Sequence, residues 1–310
     1  MSHLSIIIPL VLRNAVEAFE ETLASVLERK PEDTELIVVD QIGYGDPWNI
    51  RSEGVRFLTF DHEPNMTVMA NEAIRATQGE IVHLLFPGAQ VAENWTCSVL
   101  DSFEPDQIAC VLPRLMNAER TRKVYSIGCF YRSNGDLQEF KSTKSLKGTI
   151  LGIAPNIGAA FLRKSAWKHV GELDSSYSLQ ISYMDLALRM EMLGYETVID
   201  PKTMISVFPK LLPHIPPFVW GTQCEILYRR WSRLLEPNSS QAHWAMVRKE
   251  FWKNFPSLSA IYDFWGRYSA SGKKYAPPQL EPDRYIRESC FFHESGNCTE
   301  FTEQLDRKVA

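Results

Sequence analysis

Side chains able to bind a ligand stand where apolar runs of the sequence end. The run from Leu36 to Val39 is followed by Asp40 and Gln41, whose carboxylate and amide can form hydrogen bonds. Ligands of open α/β sheets bind beyond the carboxyl ends of the strands, where these two residues would lie. A local role is equally consistent with the sequence, because Asp40 can order the loop 42–46 through an Asx-type turn.

The cysteines and histidines show no metal-binding pattern. Zinc sites hold thiolates or imidazoles at short spacing, and the sequence has no C-x-x-C and no H-x-x-x-H motif. Cys290 and Cys298 flank a loop and can form a bridge. We predict that both are free thiols, because reducing compartments keep thiols reduced.

The composition is that of a globular protein. Apolar residues make up 45% of the 310 residues and charged residues 23%, which excludes a disordered chain, a collagen-like fibre and a coiled coil. The net charge of −5 supplies no basic footprint for nucleic acid. No stretch reaches the ~18 apolar residues of a membrane span, and the start lacks the features of a signal peptide. The sequence therefore predicts a cytoplasmic protein with no transmembrane segment and no nucleic-acid partner.

Apolar runs that alternate with helical patterns predict an open α/β sheet. The runs typical of strands buried on both faces are residues 4–9, 36–39, 55–60, 80–86 and 108–112. Apolar residues recur at helical spacing over 16–27 and 68–76, and Gly79 is placed to cap the second helix. Strands separated by helices form right-handed parallel units, so we expect a mostly parallel sheet flanked by helices.

The rest of the chain departs from this alternation. Residues 116–149 are richer in turn residues and predict an antiparallel excursion. A helical stripe over 184–193 is followed by a capping Gly194. Beyond it, the proline-punctuated segment 209–217 leads into aromatic residues at helical spacing over 220–268, which predict two or three helices packed on the sheet domain.

Several segments carry motifs whose order and spacing match a known family. They are Ser5–Pro9, Thr22–Leu27, Glu35–Asp40, Asn71–Leu85, Asn156–Ala160, Gly171–Asp174 and Asp185–Arg189. These motifs resemble the family 2 glycosyltransferases, which have the GT-A fold and use nucleotide sugars. The resemblance spans roughly residues 4 to 208 and implies a GT-A-type sheet domain followed by a C-terminal helical extension.

The resemblance also implies which residues contact a nucleotide. Pro9 would do so through its backbone, and Asp40 and Gln41 stand where the family contacts the base. The Gln41 amide can pair with uracil or guanine, which makes a UDP- or GDP-linked sugar the expected donor. Asn71 opens the helix that lies under the nucleotide in the family, although its side chain can equally bond to nearby backbone.

The family's metal motif is degenerate in this chain. An Asp-x-Asp type motif normally follows the fourth strand, and here those positions read Phe86-Pro-Gly88-Ala-Gln90. Hard cations such as Mg²⁺ and Mn²⁺ need oxygen ligands, which neither Phe86 nor Gly88 supplies from a side chain. We therefore expect no cofactor and no divalent metal.

The family's catalytic base is also replaced. Ser182 and Tyr183 stand at the Glu-Asp pair whose carboxylate deprotonates the acceptor hydroxyl, and a tyrosine with an ordinary pKa near ~10 is a poor base at neutral pH. Asp185 is the remaining catalytic candidate in this segment. Its alternative role is to cap the helix and pair with Arg189 at i, i+4.

A transferase without a metal needs cationic side chains to neutralise the leaving diphosphate. Lys210 and His214 are the candidates after the last strand, and a solvated basic face is the simpler interpretation of both. The aromatic residues of 220–268 fit ordinary core packing. They also fit an association surface for a protein partner or a second copy.

Two functional hypotheses follow for a chain with a glycosyltransferase-like domain over 1–208 and a linker, helical extension and polar tail over 209–310. In the first, the protein transfers a sugar from a nucleotide-sugar donor to a hydroxyl of a glycan or other acceptor, with impaired or metal-independent chemistry. In the second, it is a catalytically inactive binding or interaction module. Loss of the metal ligands together with the base favours the second on chemistry alone.

Overall fold

The computed structural model describes residues 4–11, 15–60, 65–120, 123–235 and 240–276. They form a large mixed sheet, a smaller antiparallel sheet and the helices that cover them. The free thiols of this part of the chain are Cys97, Cys110, Cys129 and Cys224. Cys290 and Cys298 lie outside the described residues, so the state of these two thiols remains a prediction.

The elements are numbered in chain order. The strands are β1 (Leu4–Leu10), β2 (Glu35–Asp40), β3 (Arg56–Thr59), β4 (Ile81–Leu85), β5 (Ala89–Val91), β6 (Ile108–Asn117), β7 (Val124–Ser126), β8 (Gly128–Arg132), β9 (Leu137–Phe140), β10 (Ile150–Ala154), β11 (Ala159–Arg163) and β12 (Glu196–Val207). The α-helices are α1 (Val16–Arg29), α2 (Met66–Ala76), α3 (Cys97–Ser102), α4 (Lys164–His169), α5 (Leu179–Met192), α6 (Pro217–Leu235), α7 (Ser240–Asn254) and α8 (Leu258–Ser271).

The nine-stranded sheet has the order β3-β2-β1-β4-β11-β6-β12-β5, and β7 pairs with β6. The first four strands pair in parallel, and so do β6 and β12. β11 lies antiparallel between β4 and β6, and β5 lies antiparallel beside β12. The predicted α/β sheet with flanking helices is confirmed, and the reversal at β11 is a feature that apolar patterns do not signal.

The core explains the continuous apolar runs. Successive strand residues point to opposite faces, and both faces of the large sheet are buried. In β1, Ile7 packs on the side of α2 and α5, whereas Ile6 and Ile8 pack on the side of α1. Phe19 and Val26 of α1 fill that second side without solvent exposure. A strand covered on both faces has no polar side, so its sequence shows no alternation.

The predicted antiparallel excursion is present as the three-stranded sheet β10-β8-β9, which contacts α5. The helical extension is also present, and Leu227 and Trp231 of α6 are buried in the same core as α5. α8 lies antiparallel on α6, where Gly221 and Gly266 allow the two backbones to touch. None of the helices in the described ranges has the length and apolar character needed to cross a bilayer.

The sequence predicted that Gly79 and Gly194 cap helices, and the structure confirms this for Gly194 only. α2 ends at Ala76 with Thr77 extended, and Gly79 lies beyond the helix, against β1. A Cβ on Gly79 would come within 2.5 Å of Ser5 Oγ, so this glycine serves close packing of the chain. Gly194 has a φ of +79° directly after α5, which is the left-handed conformation expected at a helix C-terminus.

Candidate active site

Asp40 is the last residue of β2, and its carboxylate is hydrogen-bonded to the loop that follows. One carboxylate oxygen accepts hydrogen bonds from the backbone N–H groups of Ile42 (3.1 Å) and Tyr44 (3.0 Å), and the other from Gly45 (3.1 Å). This is the loop-ordering role that the sequence left open. The backbone N–H of Gln41 bonds to Leu10 O at 3.1 Å, which holds the ends of β1 and β2 side by side.

Asn71 connects two elements of the domain. Its amide donates to Leu173 O at 2.8 Å, and its carbonyl accepts from Leu173 N at 3.1 Å. These bonds tie α2 to the turn before α5. Pro9 and Phe86 line a small apolar cavity of about 10 Å³ between β1, β4 and α2. The predicted nucleotide contacts are thus distributed over the carboxyl ends of β1 and β2 and the adjacent helix.

The turn at the family's metal motif is closed by apolar packing. Phe86 is 2% exposed. Gly88 has a φ of +87°, and a Cβ there would come within 3.0 Å of Leu211. Its N–H donates to Thr22 Oγ1 at 3.0 Å, and its carbonyl accepts from Phe208 N at 3.0 Å. Phe86 and Gly88 do not fit a divalent cation, since they provide an aromatic ring and no side-chain oxygen, and the turn contains no carboxylate.

Elsewhere in the described part of the chain, no group of three or more His, Cys, Asp and Glu side chains is arranged to hold a metal ion.

The two residues at the family's base positions are buried in α5. Ser182 is fully buried, and its hydroxyl donates to Asp174 O at 3.1 Å. Tyr183 is 1% exposed, and burial raises the pKa of its phenol further above the ordinary value. Neither side chain meets solvent, so neither can take a proton from an acceptor in this conformation.

Asp185 is a buried structural carboxylate. Its two oxygens accept hydrogen bonds from Arg189 Nε and Trp231 Nε1, both at 2.9 Å. Arg189 also donates to Val170 O and Glu172 O, at 2.6 Å each. The i, i+4 pairing that the sequence offered as the alternative is present, but the capping role is wrong, because α5 begins at Leu179 and Asp185 lies inside the helix. The carboxylate joins α5 to α6 and to the turn that follows α4.

A cleft of about 890 Å³ lies between the small antiparallel sheet, the segment 209–217 and the helices α7 and α8. Its polar lining includes Asp136, Gln138, Glu139, Asn156, Gln180, Lys210, His214, Glu250, Asn254 and Asp263. Lys210 and His214 therefore lie on one wall. The Lys210 ammonium is 3.0 Å from Glu119 Oε1, and its side chain is 81% exposed.

Glu139 of β9 is the carboxylate of the cleft that sequence reasoning missed. Its Oε1 accepts a hydrogen bond from Asn156 Nδ2 at 2.7 Å. The Glu139 side chain is open to solvent in the cleft, yet the protein around it displaces enough water to raise the pKa of this carboxyl, against the hydrogen bonds from Ser126 and Asn156, which lower it. A carboxylate with a raised pKa is a stronger base than an ordinary one, which is the property a proton acceptor needs.

The wall behind Glu139 is fixed by amide side chains. Asn156 Oδ1 accepts from Gly158 N at 3.0 Å. Gln180 of α5 accepts from Ile157 N at 3.1 Å and donates to Pro155 O at 3.0 Å. Asn156 belongs to a recognised motif, whereas Gln180 carried no sequence signal of its own.

The cleft adjoins the end of β4. The backbone N–H of Phe86 donates to Gly158 O at 3.2 Å, two residues from Asn156. Leu211 packs on Gly88, and its neighbour Leu212 lines the cleft. One wall of the cleft is therefore built from segments that also contact the turn after β4.

The sheet order, the covering helices and this cleft define a GT-A fold, the fold of glycosyltransferases that use nucleotide sugars. The chain is similar to GalNAc-T7 solved with UDP, GalNAc and Mn²⁺, with a TM-score of 0.57 and 11% identity over 88% of this chain and 55% of that chain. The mannosyltransferase PcManGT from Pyrobaculum calidifontis, solved with GDP-Man and Mn²⁺, gives a TM-score of 0.50 and 14% identity over 88% and 81%. TarS 1-349 from S. aureus gives a TM-score of 0.55 and 10% identity over 92% and 97%.

No protein-family model and no curated protein sequence matches the chain. The likeness is therefore one of fold, at identities of 10% to 14%. The chain matches little more than half of the GalNAc-T7 chain.

Proposed function

We propose that this chain is a glycosyltransferase of the family 2 type that works without a divalent metal. It takes a UDP- or GDP-linked sugar and transfers the sugar to a hydroxyl of a glycan or other acceptor. The observation that carries the proposal is a polar cleft walled by Glu139 and Asn156, two residues from the Gly158 carbonyl that accepts the Phe86 N–H after β4. The structural neighbours solved with UDP and GDP-Man support the donor class.

The donor occupies the carboxyl ends of β1 and β2 in this proposal. Pro9 and Gln41 contact the base and ribose, with Asp40 shaping the loop beneath them through its three backbone hydrogen bonds. Asn71 supports this region from α2. A phenyl ring and a glycine stand at the metal motif, so the diphosphate needs a different counter-charge.

Glu139 takes the place of the missing base. It accepts the proton of the acceptor hydroxyl, whose oxygen attacks the anomeric carbon of the donor. The new glycosidic C–O bond forms as the bond from the anomeric carbon to the diphosphate oxygen breaks, and the nucleoside diphosphate leaves with that electron pair. Asn156 holds the Glu139 carboxylate in position through the 2.7 Å hydrogen bond.

Lys210 and His214 supply the counter-charge for the leaving diphosphate. Both line the same cleft as Glu139 and follow the end of β12. Lys210 reaches solvent with most of its side chain, so it can leave Glu119 for a phosphate oxygen at little cost. Electrostatic stabilisation of this kind replaces part of what a cation contributes to phosphate departure.

A second candidate function is an inactive binding module of the same fold. The burial of Ser182 and Tyr183 and the apolar closure around Phe86 favour it. Such a module keeps a nucleotide or glycan site and lacks turnover.

Calorimetry of the full chain with UDP, GDP and TDP, each with and without Mn²⁺, tests the proposal. We expect one nucleotide to bind with an affinity that Mn²⁺ leaves unchanged. Binding that needs Mn²⁺ would contradict the metal-free site. Binding without release of nucleotide from any donor sugar would favour the inactive module. No binding of any nucleotide would exclude the transferase and leave a glycan-binding or interaction module.

A further inference from the structure

The helices α7 and α8 expose a set of large apolar side chains that we call the aromatic face. Its members are Trp252, Phe255, Leu258, Tyr262, Trp265 and Tyr268. Between 49% and 71% of each residue is open to solvent. The rings of Trp252 and Phe255 lie 5.5 Å apart and those of Trp265 and Tyr268 lie 6.0 Å apart. Single exposed apolar residues are ordinary on protein surfaces, whereas six on two consecutive helices indicate an interaction site.

The aromatic face belongs to a well-packed helix. Leu258, Tyr262 and Trp265 recur at i, i+4 and i+7, so they share one side of α8. The other side carries the buried Gly266 and Ala270, and a Cβ on Gly266 would come within 2.1 Å of Phe218 O in α6. Because α8 is held this closely against α6, the exposed rings are not the result of a loose helix.

The segment that carries the aromatic face has a net charge opposite in sign to that of the whole protein. Residues 240–276 contain six basic and two acidic residues, a net charge of +4, in a chain whose net charge is −5. The acidic residues, Glu250 and Asp263, both line the cleft. Lys249 and Lys253 are exposed on α7, and Lys253 pairs with Glu250 at 3.4 Å.

We propose that the aromatic face docks on an anionic phospholipid bilayer, with α7 and α8 lying in the headgroup layer. Tryptophan and tyrosine favour the membrane interface, where the ring is apolar and its N–H or O–H remains hydrated. Basic side chains beside such rings are attracted to anionic lipid. The surface therefore combines the two interactions that stable peripheral binding requires.

Docking would also place the cleft at the membrane surface. Met246, Phe251 and Ala260 of the same two helices line the cleft, so a bilayer that holds these helices lies close to the cleft opening. This consequence does not depend on the proposed transfer reaction, because lipid binding uses residues outside the site.

Co-sedimentation of the full chain with lipid vesicles tests the proposal. We expect binding to phosphatidylcholine vesicles that contain phosphatidylglycerol, weak binding to phosphatidylcholine alone, and release by added salt. Lys249→Ala and Lys253→Ala are each expected to weaken binding about fivefold. Trp252→Ser and Trp265→Ser are each expected to weaken it about tenfold, since each removes an interfacial ring.

Trp48→Ser is the matched control. Trp48 is 67% exposed, as is Trp252, but it lies in the loop after β2. Failure of the unchanged protein to bind phosphatidylglycerol vesicles would overturn the proposal, and this test does not depend on any variant folding. An equal loss in Trp48→Ser would also overturn it. A dimer in light scattering that Trp265→Ser abolishes, without vesicle binding, would assign the face to a second copy of the chain.

Discussion

Burial separates the carboxylates of this chain into structural and reactive ones. Asp40 and Asp185 have both oxygens engaged by neighbouring donors, and they are 2% and 1% exposed. Glu139 faces the cleft, where it is exposed to solvent and accepts hydrogen bonds from Asn156 and Ser126. The type of residue is the same in all three cases, and the surroundings decide which one can exchange a proton.

Glu139→Gln is expected to lower sugar transfer by about a hundredfold or more, the usual contribution of a general base. The substitution preserves shape and removes the carboxylate. Nucleotide release from UDP- and GDP-linked sugars measures the rate, and calorimetry on the variant measures donor affinity, which should be unchanged. Glu93→Gln on the surface is the matched control.

The pH dependence follows from the raised pKa of Glu139. A base acts in its deprotonated form, so transfer is expected to fall as the pH is lowered through that raised pKa. The folded state holds this proton more tightly than the unfolded chain does, so the charged form opposes folding at neutral pH. Glu139→Gln should therefore leave the free energy of unfolding at neutral pH equal or higher. A variant that loses stability along with activity would contradict the assignment.

At the scale of elements, a buried ion pair holds α7 to α6. Glu225 and His243 are both fully buried, and Glu225 Oε2 lies 2.7 Å from His243 Nε2. The other ring nitrogen of His243 lies 2.8 Å from Asn134 O, and since both partners are acceptors, both contacts are hydrogen bonds only when each ring nitrogen carries a proton. Arg229 donates to the second oxygen of Glu225 at 2.7 Å. The pair thus fixes α7, one wall of the cleft, against the β8–β9 turn.

Glu225→Gln is expected to lower the free energy of unfolding by about 3 kcal/mol at neutral pH, because it leaves buried His243 without its counter-charge. Burial opposes the charge on Glu225, yet hydrogen bonds and charge from His243 and Arg229 hold its pKa below the ordinary 4.5. The pKa of Glu225 is therefore lower in the folded protein than in the unfolded chain. The stabilisation is fully present at a pH above the unfolded-state pKa and is lost as the pH falls through the folded-state pKa.

Urea unfolding in acid should therefore show a smaller difference between this variant and the unchanged protein than urea unfolding at neutral pH. Glu250→Gln breaks an exposed pair and is expected to cost under ~1 kcal/mol. An equal loss of unfolding free energy in both variants would show that the buried Glu225–His243 pair contributes no more than the exposed pair.

The contact between α6 and α8 gives a second prediction at this scale. Gly266→Ala places a Cβ within 2.1 Å of Phe218 O, so the helices must separate, at a cost of about 2 kcal/mol or more in unfolding free energy. Gly272→Ala, at the end of the same helix, meets nothing within 4 Å at an ordinary φ of −81° and should be near neutral. Thermal unfolding of both variants tests this prediction. Equal unfolding midpoints would show that the close contact between α6 and α8 does not contribute to stability.

At the scale of the whole molecule, the fold places three surfaces in sequence. The carboxyl ends of β1 and β2 form the proposed donor end, the cleft lies beside the segment that bonds to Phe86 after β4, and α7 and α8 continue from the cleft to the aromatic face. Each surface has its own measurement: nucleotide calorimetry, transfer by the Glu139 variant, and vesicle binding. Failure of one leaves the other two open to test.

The sequence by itself determined the first four strands of the large sheet and β6, most of the helices and the α/β class, because a strand buried on both faces needs a continuous apolar run and a covered helix needs a periodic one. It did not reveal the antiparallel insertion of β11, since apolar runs carry no strand direction. Gly79 looked like a helix cap because its packing against Ser5 is a contact between residues 74 positions apart.

Only the tertiary structure decided which polar residues meet. Asp185 and Glu139 are both acidic residues, and their roles separate through partners at other positions, Trp231 for one and Asn156 for the other. The cleft joins a β-hairpin, a proline-containing segment and the consecutive helices α7 and α8, three parts that are separated from one another along the chain. Local sequence fixes periodicity and turn chemistry, whereas burial and the charge environment depend on contacts that the chain makes only once it is folded.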